Sequence, residues 1–345
     1  MKKELEKHGY QVDVRPYQRW YESTDSAVTI ALRGNRPYYP KEEIVQKNIM
    51  WNISHPADIP QGEYERFDLV YFASEKLCRK WENELKTKCD VLLQCADPDV
   101  MKSTAGEKKY DLLFIGNSRR VYRQIVQDAL TLDYPLTIYG RHWEAFEEAQ
   151  KCVREPYMPN DQVGQAYRDA KIVLNDHWDD MKETGIVSNR LFDALAAEAF
   201  IISDEMPEIS EIFEGTVVTY KDCKDLKEKW IIIWNIQRKQ KNSPKEAISL
   251  CWKSIPLQKE WTNWYRIFPV FKEKQKNSSH CFEAMTAALL SKYQESSASA
   301  QSSAAAMTDP YRNIYNCQVF RQKSHALPLQ PVPDIWLPER SFWHH

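Results

Sequence analysis

From residue 108 onward, short apolar runs alternate with segments of helical period. YDLLFIG (110–116), LTIYG (136–140), KIVLND (171–176), FIISD (200–204) and VVTY (217–220) have the length and apolar density of buried strands. Between them, 119–132, 161–169 and 188–197 carry apolar residues three and four apart, the spacing of an amphipathic helix. This alternation predicts a parallel sheet covered on both faces, a five-stranded Rossmann-like unit. Its strands end in Gly, Asn or Asp, and in open α/β sheets ligands bind beyond those carboxyl ends.

The first hundred residues repeat the style more loosely. YQVDV (10–14), AVTIAL (27–32), NIMWNIS (48–54), FDLVYFAS (67–74) and VLLQ (91–94) predict a second α/β unit. A Rossmann half opens with a strand and a glycine-rich turn, whereas this chain begins at what reads as the following helix, so the N-terminal domain is expected to be incomplete by one strand. Beyond the second unit, 224–238 reads as a helix, and Trp252, Trp261, Trp264, Tyr265 and Phe268 continue an aromatic-rich helical stretch expected to cross back onto the first domain. Residues 296–306 are almost entirely Ser and Ala and 326–338 are laced with proline, which predicts a disordered tail. The expected division is 1–104, an incomplete Rossmann-like acceptor domain; 105–240, a Rossmann-like nucleotide-binding domain; 241–295, the returning helices; and 296–345, the tail.

Charge narrows the partners. Lys and Arg total 47 against 49 Asp and Glu, a net charge of -2, so no global basic field exists to hold nucleic acid. No apolar run approaches the roughly 18 residues of a membrane span, and the charged start MKKELEKHGY is not a secretory signal, so a cytoplasmic protein is expected. The eight cysteines include no CxxC pair and no nearby His in metal-ligand spacing; they read as reduced packing residues rather than a zinc site or disulfide framework.

Four stretches carry candidate chemistry. In 174–213 a strand ends at Asn175 and Asp176, His177 and an acidic loop follow, and a helix opens near Ser188 with Arg190 and Asp193 in its first two turns. Ser188 is a good helix cap, and exposed helix NH groups beside an Arg suit a diphosphate; Asp193, three residues on, shares the Arg190 face and suits ribose hydroxyls. The plainer reading is a capped helix with a surface ion pair. In 113–126, Asn117 and Ser118 follow the lone Gly116, and Arg119, Arg120 and Arg123 crowd a helix start, where they oppose the macrodipole unless an anion sits among them. One glycine where G-x-G-x-x-G needs three disfavours NAD and FAD, and the plain alternative is a basic solvated helix. At 51–60, His55 at a strand's carboxyl end either contacts a sugar or simply turns the chain with Pro56. RGNRPYYP (33–40) either floors an acceptor site or caps a sheet. Asp176, Asp179 and Asp180 are expected to hold no essential metal. Neither a G-x-S-x-G elbow nor a P-loop is present.

At SHPADI, FDLVYFAS, FIGNSR, LNDHWDDM and GIVSNRLFDALAAEAFIISD the sequence resembles glycosyltransferases of the two-domain GT-B architecture, group 1 type, including the CgeB-like spore-maturation proteins; the resemblance runs from about residue 1 to 240. It implies a transferase that takes a nucleotide-diphosphate sugar as donor in the C-terminal domain, presents an unknown glycan, lipid or protein acceptor from the N-terminal domain, and uses no cofactor or metal. It implies a donor site of Asn117, Ser118, Arg119, Asn175, His177, Ser188, Arg190 and Asp193, with Asp193 in the place of the second acid of a Glu-x7-Glu segment. It also implies that His55 lies near the transferred sugar. Gly185 stands where the first Glu of that segment is expected, with Glu183 close by as the candidate in its stead. The competing reading is a non-catalytic binding or envelope-assembly protein of the same fold. No clean pair of catalytic carboxylates is visible, so retention and inversion both stay open.

Overall fold

A computed structural model describes residues 1–239, apart from 8, 24–25, 35, 42–46, 98 and 105, together with 316–321. The described chain forms two compact α/β units, neither of them a continuous stretch. The first takes in residues 1–94, 178–186 and the strand at 316–321; the second takes in 95–177 and begins again at Val187. A contiguous division at residue 104 is therefore not what the packing gives.

The first unit contains α1 (Lys2–Lys7), β1 (Tyr10–Arg15), β2 (Val28–Arg33), β3 (Lys47–Asn52), α2 (Gln61–Tyr64), β4 (Leu69–Phe72), α3 (Glu75–Trp81), β5 (Lys88–Val91) and, from later in the chain, α7 (Asp179–Thr184) and β12 (Asn316–Arg321). Its six-stranded sheet has the order β1-β12-β2-β3-β4-β5. β2 to β5 run parallel, while β12 pairs antiparallel with both β1 and β2. Residues 316–321 thus form a strand inside the segment expected to be a disordered tail. The expected returning helices at 241–295 and the rest of 296–345 lie outside the described residues.

Side chains of β3 and β4 alternate between two cores, as a sheet covered on both faces requires. Met50, Val70 and Phe72 pack with Tyr64, Leu77, Met181 and Ile186, whereas Ile49, Trp51, Leu69 and Tyr71 pack with Leu5 and Ile30. Met181 lies on α7 and Ile186 just beyond it, so this short excursion of the chain is part of the first unit's core.

The second unit contains β6 (Tyr110–Ile115), α4 (Gln124–Ala129), β7 (Leu136–Tyr139), α5 (Glu147–Gln150), β8 (Val153–Glu155), α6 (Asn160–Asp169), β9 (Ala170–Asn175), α8 (Asn189–Ala196), β10 (Ile201–Asp204), α9 (Pro207–Phe213), β11 (Val218–Tyr220) and α10 (Cys223–Lys239). All strands are parallel, in the order β11-β10-β9-β6-β7-β8. The expected sheet is enlarged by one edge strand, β8. From β6 the chain winds outward through β7 and β8, then returns to β9 and winds the other way, so the topological switch point falls between β6 and β9. Leu112, Phe114, Ile172 and Leu174 face one core with α4 and α10; Leu113, Ile115 and Val173 face the other with α6, α8 and α9.

Candidate functional site

The loops that follow β6 and β9 flank the switch point, and the first carries Gly116, Asn117, Ser118, Arg119 and Arg120. A Cβ on Gly116 would stand 2.7 Å from Arg190 Nη2, so the absent side chain leaves room for that guanidinium. The next loop, after β7, is locked to it. The Arg141 amide donates to Asn117 Oδ1 at 2.7 Å, the Ser118 amide donates to the Arg141 carbonyl at 3.0 Å, and Ser118 Oγ donates to the His142 carbonyl. Trp143 Nε1 donates to the Gly116 carbonyl at 3.2 Å. Asn117 and Ser118 thus spend these polar atoms on holding two loops together, with Ser118 wholly buried.

Arg119 and Arg120 adopt left-handed backbone conformations, φ 61° and 63°. Each costs on the order of 1 kcal/mol for a residue with a Cβ, and such conformations persist only where the surroundings impose them. They also lie outside the helix that the periodicity predicted to begin at 119: α4 begins at Gln124 with Arg123 in the cap position. The expected conflict of three arginines with the helix dipole is met in this way. Arg120 is exposed, Arg119 is half-buried, and buried Arg123 is neutralised by Asp176, its Nε 2.9 Å from Oδ2 and its Nη2 bonded to Oδ1. Asp176 is therefore the partner of an arginine. Asp179 and Asp180, which follow it in sequence, open α7 in the other unit.

Arg190, on the first turn of α8, reaches back to the end of β6. Its Nε and Nη2 both donate to the Ile115 carbonyl, at 3.1 and 2.9 Å, and Nη1 donates to Asn175 Oδ1 at 2.5 Å. The Phe114 ring lies 5.0 Å from its guanidinium carbon and 5.3 Å from that of Arg123, a shared cation–π support. Burial, with the nearby Arg123 charge adding to it, lowers the Arg190 pKa, while Tyr167 opposes the shift. Three residues on, Asp193 accepts from Asn189 Nδ2 at 2.7 Å. Burial pushes its carboxyl up to about 7, against the pull of Asn189 and Arg190.

A closed ring of hydrogen bonds joins these elements. Arg190 Nη1 holds Asn175, Asn175 Nδ2 donates to Ser203 Oγ at 2.8 Å, and Ser203 Oγ donates to Asp204 Oδ1 at 3.0 Å. Asp204 Oδ1 accepts from His177 Nδ1 at 2.6 Å, and His177 Nε2 accepts from the Ser188 amide at 2.9 Å. Ser188 Oγ then caps α8 by accepting from the Arg190 amide at 3.4 Å, which returns the ring to its start. Asn175, His177, Ser188 and Arg190 come together here as the sequence reading grouped them. Ser203 and Asp204 complete the ring without having been singled out from the sequence, where the available signal was a strand, FIISD, ending in polar residues.

His55 and Glu183 belong to the first unit. His55 sits at the turn after β3 with a left-handed backbone, φ 51°. Its Nδ1 lies 3.0 Å from Ser54 Oγ, and its ring meets that of Trp178 edge-on at 5.5 Å. Trp178 caps α7, the helix on which exposed Glu183 lies, and α7 packs against the turn at Pro56–Asp58. Of the 33–40 loop, Arg33 is buried in a two-pronged ion pair with Glu63, Nε to Oε1 at 2.6 Å and Nη2 to Oε2 at 3.2 Å. Tyr38 is buried beneath Tyr21. At these two positions the loop closes the sheet.

Residues 119–249 match the family model described as Glycosyl transferase-like, so this stretch, which includes α8 and the whole ring above, is glycosyltransferase-like. Among solved structures, the chain is similar to Anabaena HepE in complex with UDP and glucose (9% identity, TM-score 0.45, covering 60% of this chain and 67% of that one). It is also similar to AviGT4, a glycosyltransferase involved in avilamycin A biosynthesis (16% identity, TM-score 0.35, covering 67% and 74%), and to OtsA in its apo form (12% identity, TM-score 0.39, covering 60% and 62%). No curated protein matches the chain.

Proposed function

We propose that the chain is a glycosyltransferase of the CgeB-like kind, acting in the cytoplasm, which moves a sugar from a nucleotide-diphosphate donor to a glycan, lipid or protein acceptor. The observation that carries this reading is the Arg190 guanidinium, fixed at the carboxyl end of β6 beside the switch point, in a stretch that is glycosyltransferase-like. There the positive end of the α8 dipole, Arg190 and Arg119 offer positive charge to a diphosphate, and Asp193 offers a carboxyl to ribose hydroxyls. Asn117 and Ser188 are the candidate wall residues of that site, and the buried Ser118 and Asn175 support it from behind by holding the 140–142 loop and Arg190.

The reaction breaks the bond between the anomeric carbon and the diphosphate and forms one to the acceptor oxygen, through an oxocarbenium-like transition state. Negative charge grows on the departing diphosphate. Donors fixed before the reaction stabilise that charge without reorganising, which is the case for catalysis without a bound metal. On the first unit, His55 and Glu183 are the candidate catalytic groups. Among the described residues no helix is long and apolar enough to cross a membrane.

Calorimetric titration with UDP, GDP and their sugars, alongside Arg190→Ala and Asp193→Ala, tests the reading. Micromolar binding that both substitutions abolish, with sugar release in the presence of an acceptor panel, is expected. Indifference to every nucleotide removes the reading, and binding without turnover on a broad panel replaces it with a non-catalytic module.

A further inference from the structure

Taking the second unit to be the donor-binding one, we propose that His177 and Asp204 are positioning residues that set where α8 begins, and do not themselves touch the donor. The His177 side chain is 0% exposed and both ring nitrogens are committed within the protein. An imidazole accepts at Nε2 only when it is neutral with its proton on Nδ1, and that is the proton Asp204 Oδ1 takes at 2.6 Å. The second carboxylate oxygen, Oδ2, accepts from the His177 backbone amide at 3.0 Å, so one acid fixes the ring, its tautomer and the backbone that carries it.

The need for such a clamp lies in the path of the chain. It leaves the second unit after His177, packs residues 178–186 into the first, and re-enters at Val187, directly before the α8 cap. No short loop fixes the amino end of α8. The bond from the Ser188 amide to His177 Nε2 ties exit to re-entry across eleven positions and satisfies an NH at the helix entry. Arg190 and Asp193 ride on that helix, so an error in its starting point becomes an error in where both groups stand.

Asp204→Asn is the informative change. Both oxygens of Asp204 accept hydrogen bonds from His177, and an amide offers one oxygen only, so either orientation sets a donor against a donor. In the wild type, nitrogen-15 spectra of His177 should show the neutral tautomer protonated at Nδ1, and the Ser188 amide should resist hydrogen exchange. Asp204→Asn should expose that amide, raise the Kd for the nucleotide that the wild type binds by about 10-fold, the scale of one lost hydrogen bond, and raise the donor KM more than it lowers kcat. His177→Gln, whose amide can accept from Ser188 and donate to Asp204, should recover most of the affinity that His177→Leu loses; this pair serves as the test if Asp204→Asn does not fold. A wild-type ring protonated at Nε2, or wild-type affinity in Asp204→Asn with an unprotected Ser188 amide, overturns the proposal. Should the wild type bind no nucleotide, the donor reading fails, and the tautomer and exchange measurements still decide the clamp.

Discussion

Gly116 and Arg190 occupy what would otherwise be the same space. A methyl group on residue 116 would stand 2.7 Å from Arg190 Nη2 and 3.1 Å from Cε1 of Phe114. The guanidinium cannot swing aside freely, because it is held by the Ile115 carbonyl and Asn175. Gly116→Ala is expected to cost about 1–3 kcal/mol by overpacking and to weaken nucleotide binding as strongly as Arg190→Ala does. Urea unfolding and calorimetry measure the two effects separately.

Gly140 meets backbone instead. A Cβ there would lie 2.1 Å from the Gly116 carbonyl oxygen and 2.5 Å from its carbon, and no rotamer relieves that clash. Gly140→Ala should therefore be the more damaging of the two, lowering the midpoint of thermal unfolding further than Gly116→Ala in the same buffer.

Arg123 and Asp176 form a pair with side chains only 4% and 7% exposed. Removing one member strands the other charge, so Arg123→Met and Asp176→Leu should each destabilise by roughly 3–5 kcal/mol, whereas the double substitution should cost much less than their sum. Denaturant unfolding of the four proteins in the cycle gives the coupling, and strict additivity would refute the pairing.

Asp193 carries a pH signature of unusual sign. An unfolded Asp has a pKa near 3.9, and burial raises this one to about 7. Between those values the folded state binds more protons than the unfolded state, so the stabilising contribution is complete below about pH 4 and lost as pH rises through about 7. Thermal unfolding from pH 5 to 8 should show the wild type losing more stability than Asp193→Asn. Nucleotide affinity should change in the opposite direction, strengthening from pH 6 to 8 as the carboxylate that accepts ribose hydroxyl bonds forms, with a flat profile in Asp193→Asn.

Most of this architecture is legible in the chain because buried parallel strands leave a dense apolar run, as at 110–116 and 171–176. The strands that escape notice have no such run. β8 is three residues, two of them exposed and charged, at a sheet edge. β12 pairs with partners roughly three hundred positions away, a register that no local pattern encodes. β5 lies three residues before its predicted start, because Leu92 is buried just past the strand end while exposed Lys88 belongs to the strand. At the site, Asn175, His177 and Ser188 stand out as a strand end and a helix cap. Their partners do not, since Ser203 faces Asn175 only through the parallel register of β9 and β10. Arg123 reads as one of three crowded cations until its distance to Asp176 separates it from the other two.

The detour of residues 178–186 into the first unit bears on how the protein is made. Met181 and Ile186 are buried in that unit's core, and Ser74 Oγ donates to the Thr184 carbonyl at 2.6 Å. During synthesis, the first lobe must therefore wait until β6 through β9 have left the ribosome before its own interior can close, although its strands β1 to β5 emerge first. Nascent chains arrested shortly after residue 94 should remain protease-sensitive, those extended past residue 186 should gain partial protection, and protection should be complete only once β12 has joined β1 and β2.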